Sequence, residues 1–253
     1  MKQLFLWGVA WGLATLFAQA QTRVPSATNG ASSTSDSVQI LYPADNSVVT
    51  QSLVRLIAIA KTEAAPASAL HDGQSIKLES MSFAESWSVN GLKTTAVTTN
   101  RSGGNPSTWL KEKSGKHLLL TTLALKQGEQ RVELGGAQLR IKRADVHGAE
   151  PPAGALFRSH PSVTDTHQPM ACASCHEVQI LGTRSLLGRA KLPGTCQTCH
   201  DAVDLRLTHA HVMEPLEYCL MFHDPHGSRW PSLLVATKDQ VCTQCHEGGH
   251  TRH

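Results

Sequence analysis

The stretch His117-Leu118-Leu119-Leu120-Thr121-Thr122-Leu123-Ala124-Leu125, followed by Lys126 to Ile141, carries the clearest structural grammar in the chain. Residues 117–125 read as a strand, and Gln127-Gly128-Glu129 reads as its turn. Val132-Glu133-Leu134 and Leu139-Arg140-Ile141 are two further short strands, joined by a Gly135-Gly136 turn. Paired glycines favour the tight turns that match strand twist, so this run reads as short strands separated by turns. Working backwards, Val38 to Tyr42 is a short strand stopped by Pro43-Ala44-Asp45-Asn46-Ser47, and Leu53 to Ile59 is rich in branched apolar residues. Ser86-Trp87-Ser88-Val89 alternates and meets Asn90-Gly91, another turn signal. Several short strands over about a hundred residues predict an all-β sandwich across residues 38–143.

The chain around this region divides by composition. Lys2, an apolar stretch from Leu4 to Phe17 and Ala18-Gln19-Ala20 have the order of a secretory signal peptide over residues 1–20. The apolar stretch is shorter than the ~20 residues a spanning helix needs. The expectation is an exported protein: periplasmic, secreted or at the cell surface. Residues 21–37 are rich in Ser, Thr, Ala and Asn and read as a flexible lead-in. Gly148, Pro151, Pro152 and Gly154 mark residues 144–160 as a linker. The formal net charge of +3 gives no case for a nucleic-acid partner.

Beyond the linker the apolar patterning fades and cysteine and histidine take over. All seven cysteines lie between Cys172 and Cys245, and only two of fourteen histidines, His71 and His117, precede residue 147. The pattern C-x-x-C-H occurs at Cys172/Cys175/His176, Cys196/Cys199/His200 and Cys242/Cys245/His246. This is the attachment signature of c-type haem. Two thiols three residues apart on a helical turn reach the two vinyl groups on one porphyrin edge, and the adjacent histidine points at the iron. Zinc sites also use C-x-x-C with histidine, and an exported chain can form disulfides. Neither requires a histidine directly after every second cysteine.

The first cysteines of the series fall at Cys172, Cys196, Cys219 and Cys242, at steps of 24, 23 and 23 residues. Cys219-Leu220-Met221-Phe222-His223 therefore holds the third of four places, with Phe222 where the second cysteine belongs. Ser185-Leu186-Leu187 precedes Cys196 much as Ser232-Leu233-Leu234 precedes Cys242, which indicates a duplicated unit of 47 residues with two haem positions each. Three haem c groups are expected. At the third place a fourth haem held through Cys219 and His223, a haem without a covalent bond, and an empty site all stay open. The intact residues after it favour a retained haem.

These motifs, with His223-Asp224-Pro225-His226-Gly227-Ser228, resemble the multihaem cytochromes that carry the doubled C-x-x-C-H motif, over roughly residues 158–250. The resemblance implies closely spaced low-spin haems and electron transfer. It makes His211 and His226 the first candidates for the second axial ligand. His160 and His167, ahead of Cys172, and His250, after the last motif, come next. Residues 161–253 are thus expected as a haem-packed domain of short helices and loops with little regular structure. The segment 38–143 resembles bacterial immunoglobulin-like domains through Val89-Asn90-Gly91 and the run Leu125, Gly128, Leu134.

The expected activity is electron carriage to and from redox protein partners, without catalysis. Two other readings compete. A multihaem reductase would need one haem with an open coordination position, and the Phe222 site is the irregular one. A surface conduit or filament would use the β region for self-assembly or for docking on other surface proteins.

Overall fold

The structure, a computed structural model, describes residues 35, 37–61, 65–88, 108–144, 151, 154–162, 164–165, 167–200 and 219–243. Residues 1–20, read as a signal peptide, Asn90-Gly91, read as a turn, and His211, Cys245, His246 and His250 lie outside the described residues. Among the described residues no helix is long and apolar enough to cross a membrane.

The chain is mostly β-sheet up to residue 143, as its alternating pattern requires. The strands are β1 (Val38–Tyr42), β2 (Ser47–Val49), β3 (Leu53–Ala60), β4 (Ser68–His71), β5 (Gln74–Lys77), β6 (Glu79–Ser88), β7 (Thr108–Ala124), β8 (Gly128–Leu134) and β9 (Ala137–Arg143). Two more, β10 (Val178–Leu181) and β11 (Arg184–Leu187), follow the first cysteine motif. They form a six-stranded sheet, β1-β3-β7-β6-β11-β10, and a five-stranded sheet, β2-β9-β8-β4-β5. Three short α-helices are described in the C-terminal part, α1 (Gly194–Gln197), α2 (Cys219–Phe222) and α3 (Lys238–Thr243), with 3-10 turns at Cys172–Ser174 and Pro231–Leu233.

The two sheets share one core. Strand β3 turns Val54, Leu56, Ala58 and Ala60 inward, where they meet Leu119 and Leu123 of β7, Val132 and Leu134 of β8, and Leu139 and Ile141 of β9. Each fully buried aliphatic side chain of this size contributes roughly 1.5–3 kcal/mol relative to exposure. The Gly135-Gly136 turn forms as expected, with φ of 53° and 83°. A Cβ at Gly135 would lie 2.5 Å from Val38 Cγ2, so the second constraint on that turn is space. The β4–β5 hairpin turns on Asp72-Gly73, with φ of 49° and 79°, the same kind of signal between strands too short to show a period.

Leu118, Leu119 and Leu120 show why the six-stranded sheet matters for the C-terminal part. A strand points successive side chains to opposite faces. Leu119 enters the shared core, while Leu118 and Leu120 face the other way and are just as buried, at 7% and 1% exposure. On that second face they pack with Ile57, Ile59, Met81, Phe83 and Leu187, and with Val178 and Cys172 of the first motif.

Two segments therefore sit differently from the expected division. Within the segment read as a linker, Phe157 is buried in the shared core. Its N–H donates to Val48 O at 2.7 Å, and Val48 N–H donates to Ala155 O at 2.9 Å. The turn-forming residues Pro151, Pro152 and Gly154 hid the short apolar run Ala155-Leu156-Phe157 behind them. In place of helix and loop alone, residues 178–187 form a hairpin. Its strand β11 lies parallel to β6, with Ser185, Leu186 and Leu187 opposite Met81, Ser82 and Phe83. Four-residue strands are too short to show a period in sequence, and the sheet edge supplies their partner.

Candidate haem-binding site

Each described motif is one helical turn. His176 N–H donates to Cys172 O at 2.8 Å, His200 N–H to Cys196 O at 2.9 Å, and His223 N–H to Cys219 O at 2.9 Å. Residues three and four apart share a helix face, so the turn gathers the first thiol, the second thiol and the imidazole on one side. The turn around Phe222 keeps the same closure as the two intact motifs, because the bond is made by backbone and ignores the side chain at the fourth position. Cys242 lies in α3, the start of the fourth motif.

The histidines are oriented by their second nitrogen. His176 Nδ1 lies 2.9 Å from Gly188 O, directly after β11. His223 Nδ1 lies 2.8 Å from Ser232 O, in the 3-10 turn Pro231–Leu233. His160 Nδ1 lies 2.9 Å from Pro161 O. A carbonyl can only accept, so in each case Nδ1 carries the proton and the neutral ring keeps its lone pair on Nε2. That is the arrangement by which proteins fix a metal-binding imidazole.

The rings then meet in two pairs. His176 and His226 have centroids 6.0 Å apart and planes 13° apart. His160 and His200 have centroids 6.1 Å apart and planes 79° apart. Two imidazoles that share one metal, each by a bond of about 2 Å with the ring centre about 1 Å further on, stand roughly 6 Å apart between centres. Ordinary aromatic pairs also reach this separation. The composition of the pairs is the more telling fact: each joins one motif histidine to one histidine outside the motifs. The residues present thus fit haem, which His176 with His226 and His160 with His200 would hold.

Local chain path explains the outer partners. His160 sits at the base of a loop whose ends pair at Pro161 and Pro169, and the neighbouring Ser159 Oγ donates to Gln51 Oε1 at 3.0 Å. His226 follows Asp224, whose Oδ1 accepts the His226 N–H at 3.1 Å. The Gly227-Ser228 step is locked from both sides. Arg158 and Ser228 exchange backbone hydrogen bonds of 2.7 and 2.8 Å. A Cβ at Gly227, where φ is 151°, would fall 2.2 Å from Phe157 Cζ. Ser228 is fully buried, donates its hydroxyl to Leu234 O and accepts Trp230 N–H at 2.9 Å. The residues HDPHGS therefore form a structural clamp that presents His226. Although 46% of its side-chain surface is open, desolvation by the atoms behind it lowers the pKa of His226, with His176 adding and Asp224 opposing. The ring is held towards its neutral, ligating form.

The thiols of three motifs lie close together. Burial pushes the Cys175 thiol up, and Cys199 and Cys172 add to it. Cys196 is pushed up to about 11, by burial first and then by Cys219, to which it is hydrogen bonded, and by Cys175. Among the described residues no disulfide joins the six cysteines.

Residues 209–251 match the family model of the doubled CXXCH motif. This C-terminal region is c-type cytochrome-like, and its CXXCH pattern indicates covalent haem c. The matched segment contains the Phe222 site together with Cys242, Cys245 and His246. No curated protein matches the chain.

Of the candidate ligands, the structure brings together His176 with His226 and His160 with His200. His167 is exposed, in a turn where its N–H donates to Asp165 Oδ1 at 2.9 Å. His71 and His117 serve the sandwich. His71 Nε2 lies 3.0 Å from Gln130 Oε1, and His117 Nδ1 lies 3.5 Å from Ser82 Oγ. Two residues near the site carried no assignment from sequence, Tyr42 and Asp224. Asp224 was visible inside HDPHGS, whereas nothing local to β1 singles out Tyr42.

Proposed function

We propose that the chain is an exported multihaem c-type cytochrome that carries electrons by hopping between closely spaced haems with two histidine ligands each. The observation that carries this reading is the pairing of each described intact-motif histidine with a histidine outside the motifs. A haem ligated on both faces exchanges electrons without binding a substrate, which favours carriage over a reductase reaction. Cys172, Cys175, His176 and His226 would hold the first haem, and Cys196, Cys199, His200 and His160 the second. Cys242, Cys245 and His246 would hold another. Cys219 and His223 would hold a fourth, because His223 is oriented by a carbonyl in the same way as His176. Bound haem would supply one-electron redox chemistry at these sites.

The chain's own residues bind and insulate. The apolar second face of the six-stranded sheet, with Phe83, Met81, Ile57 and Ile59 beside Cys172, offers a wall against which a porphyrin can be buried. Burial and axial ligation are the protein's means of setting potential. The proximity of Cys175, Cys196, Cys199 and Cys219 supports short gaps between cofactors. Export follows from the leader at residues 1–20, and the partners would be redox proteins in that compartment, with the β region available for docking.

The test is the denatured intact mass, read beside a reduced pyridine haemochrome spectrum, after export in a host with haem-maturation machinery. Four covalent haems are expected. Three would leave Cys219 unattached, and none would overturn the cytochrome reading.

A further inference from the structure

We propose that Tyr42 of the sandwich is a positioning residue for the axial ligand His226, acting through Asp224, so that the β region helps set the reduction potential of the haem on the first motif. This rests on the reading of His226 as that haem's second ligand. Tyr42 ends β1, where its backbone pairs with Ile57. Its ring packs 6.3 Å from Phe157 and 5.6 Å from His226, centre to centre. Its hydroxyl donates to Asp224 Oδ2, from 182 residues away in sequence. Burial, and then the hydrogen bond and charge of Asp224, hold the Tyr42 phenol well above its ordinary pKa, so it stays a donor.

The other oxygen of Asp224 serves His226. Oδ1 accepts the His226 backbone N–H at 3.1 Å and lies 3.7 Å from His226 Nδ1. That last distance is too long for a hydrogen bond but short for a charge interaction. With Nε2 given to iron, Nδ1 carries the proton. A carboxylate beside that proton makes the imidazole a stronger donor to the metal and favours the ferric state. A carboxylate free to swing into water would do this less well. Backbone fixes one end of Asp224, since its N–H donates to Leu233 O at 2.8 Å, and the Tyr42 hydroxyl fixes the carboxylate. A residue of the sandwich thus reaches the far end of the chain's ligand-bearing clamp.

The experiment is a potentiometric titration of the purified haem-loaded protein, followed by haem absorbance, with low-spin and high-spin populations read by electron paramagnetic resonance. Asp224→Asn is expected to move the potential of one haem upward. Tyr42→Phe, which keeps the ring, is expected to move the same haem in the same direction by less. In the Asp224→Asn background Tyr42→Phe should add nothing, because its route to the ligand is gone. Equal Tyr42→Phe shifts in both backgrounds would make it a packing residue and overturn the proposal, as would an unmoved potential in either single variant. His226→Ala separates the underlying reading: it should turn one haem high-spin. If all haems stay low-spin there, the ligand pairing fails and the proposal falls with it. If one turns high-spin while Asp224→Asn leaves every potential unchanged, the proposal alone fails.

Discussion

The site at residues 172–188 and the site at residues 219–234 are two versions of one device. In both, five residues make a helical turn, the chain returns, and a carbonyl on the returning segment fixes the Nδ1 of the motif histidine. They differ in three ways. The first has two thiols and the second has Cys219 with Phe222. The first returns through β11, paired to the sandwich, and the second through a 3-10 turn in which Ser232 and Leu233 take positive φ. In the first Cys172 packs against the second face of the six-stranded sheet, and the turn carries Ala173 and Ser174 on its exposed positions, where the second carries the large apolar Leu220 and Met221, 51% and 48% exposed. The difference teaches that the ligand turn is a local object, whereas the surroundings that bury it are built by distant strands.

The sharpest way to break the comparison is to remove both thiols of the covered site. Cys172→Ser with Cys175→Ser should lower the denatured mass by one haem. It should also destabilise the whole protein, because the wall formed by Phe83, Met81 and Ile59 loses its cover. Thermal unfolding followed by far-ultraviolet circular dichroism checks the second effect. If the melting temperature holds, the wall is not a haem wall. At the uncovered site, Cys219→Ser should also cost one covalent haem in the denatured mass, with a much smaller change in melting temperature. An unchanged mass would mean that the third place carries no thioether.

A smaller effect is expected from changing only the clamp. Gly227→Ala forces a Cβ into the Phe157 ring and should cost about 1–3 kcal/mol of stability, as overpacking does. Chemical denaturation measures it, and Phe157→Leu in the same chain should recover part of the loss. The smallest effect is expected from Phe222→Cys. It restores the spacing of an intact motif, and should leave the haem count at four while shifting the α-band of the reduced spectrum as a second vinyl becomes saturated. A count that rises from three to four would instead show that the third place is empty in the natural chain.

Much of this could be read before any coordinates. Val132 with Leu134, and Leu139 with Ile141, fall on one face of their strands by alternation alone, and Gly135-Gly136 makes the turn it announces. The consecutive leucines 118–120 were legible as a strand but not as a strand buried on both faces. Nothing within that stretch says that a later hairpin and Cys172 will cover the outer side. The linker reading failed to anticipate Phe157 because turn formers dominate its surroundings, and burial of a single aromatic residue leaves no period.

Sequence by itself determined the four places in the cysteine series, the odd one at Phe222, and the histidine that closes each. These depend on a spacing of three and four residues, and one backbone hydrogen bond closes that span whatever the rest of the chain does. Tertiary structure decided which outer histidine faces which motif, that the sandwich provides a wall, and that Tyr42 reaches Asp224. Those contacts join residues from 40 to 182 positions apart. Their geometry depends on the path of every strand between them, which no local pattern records.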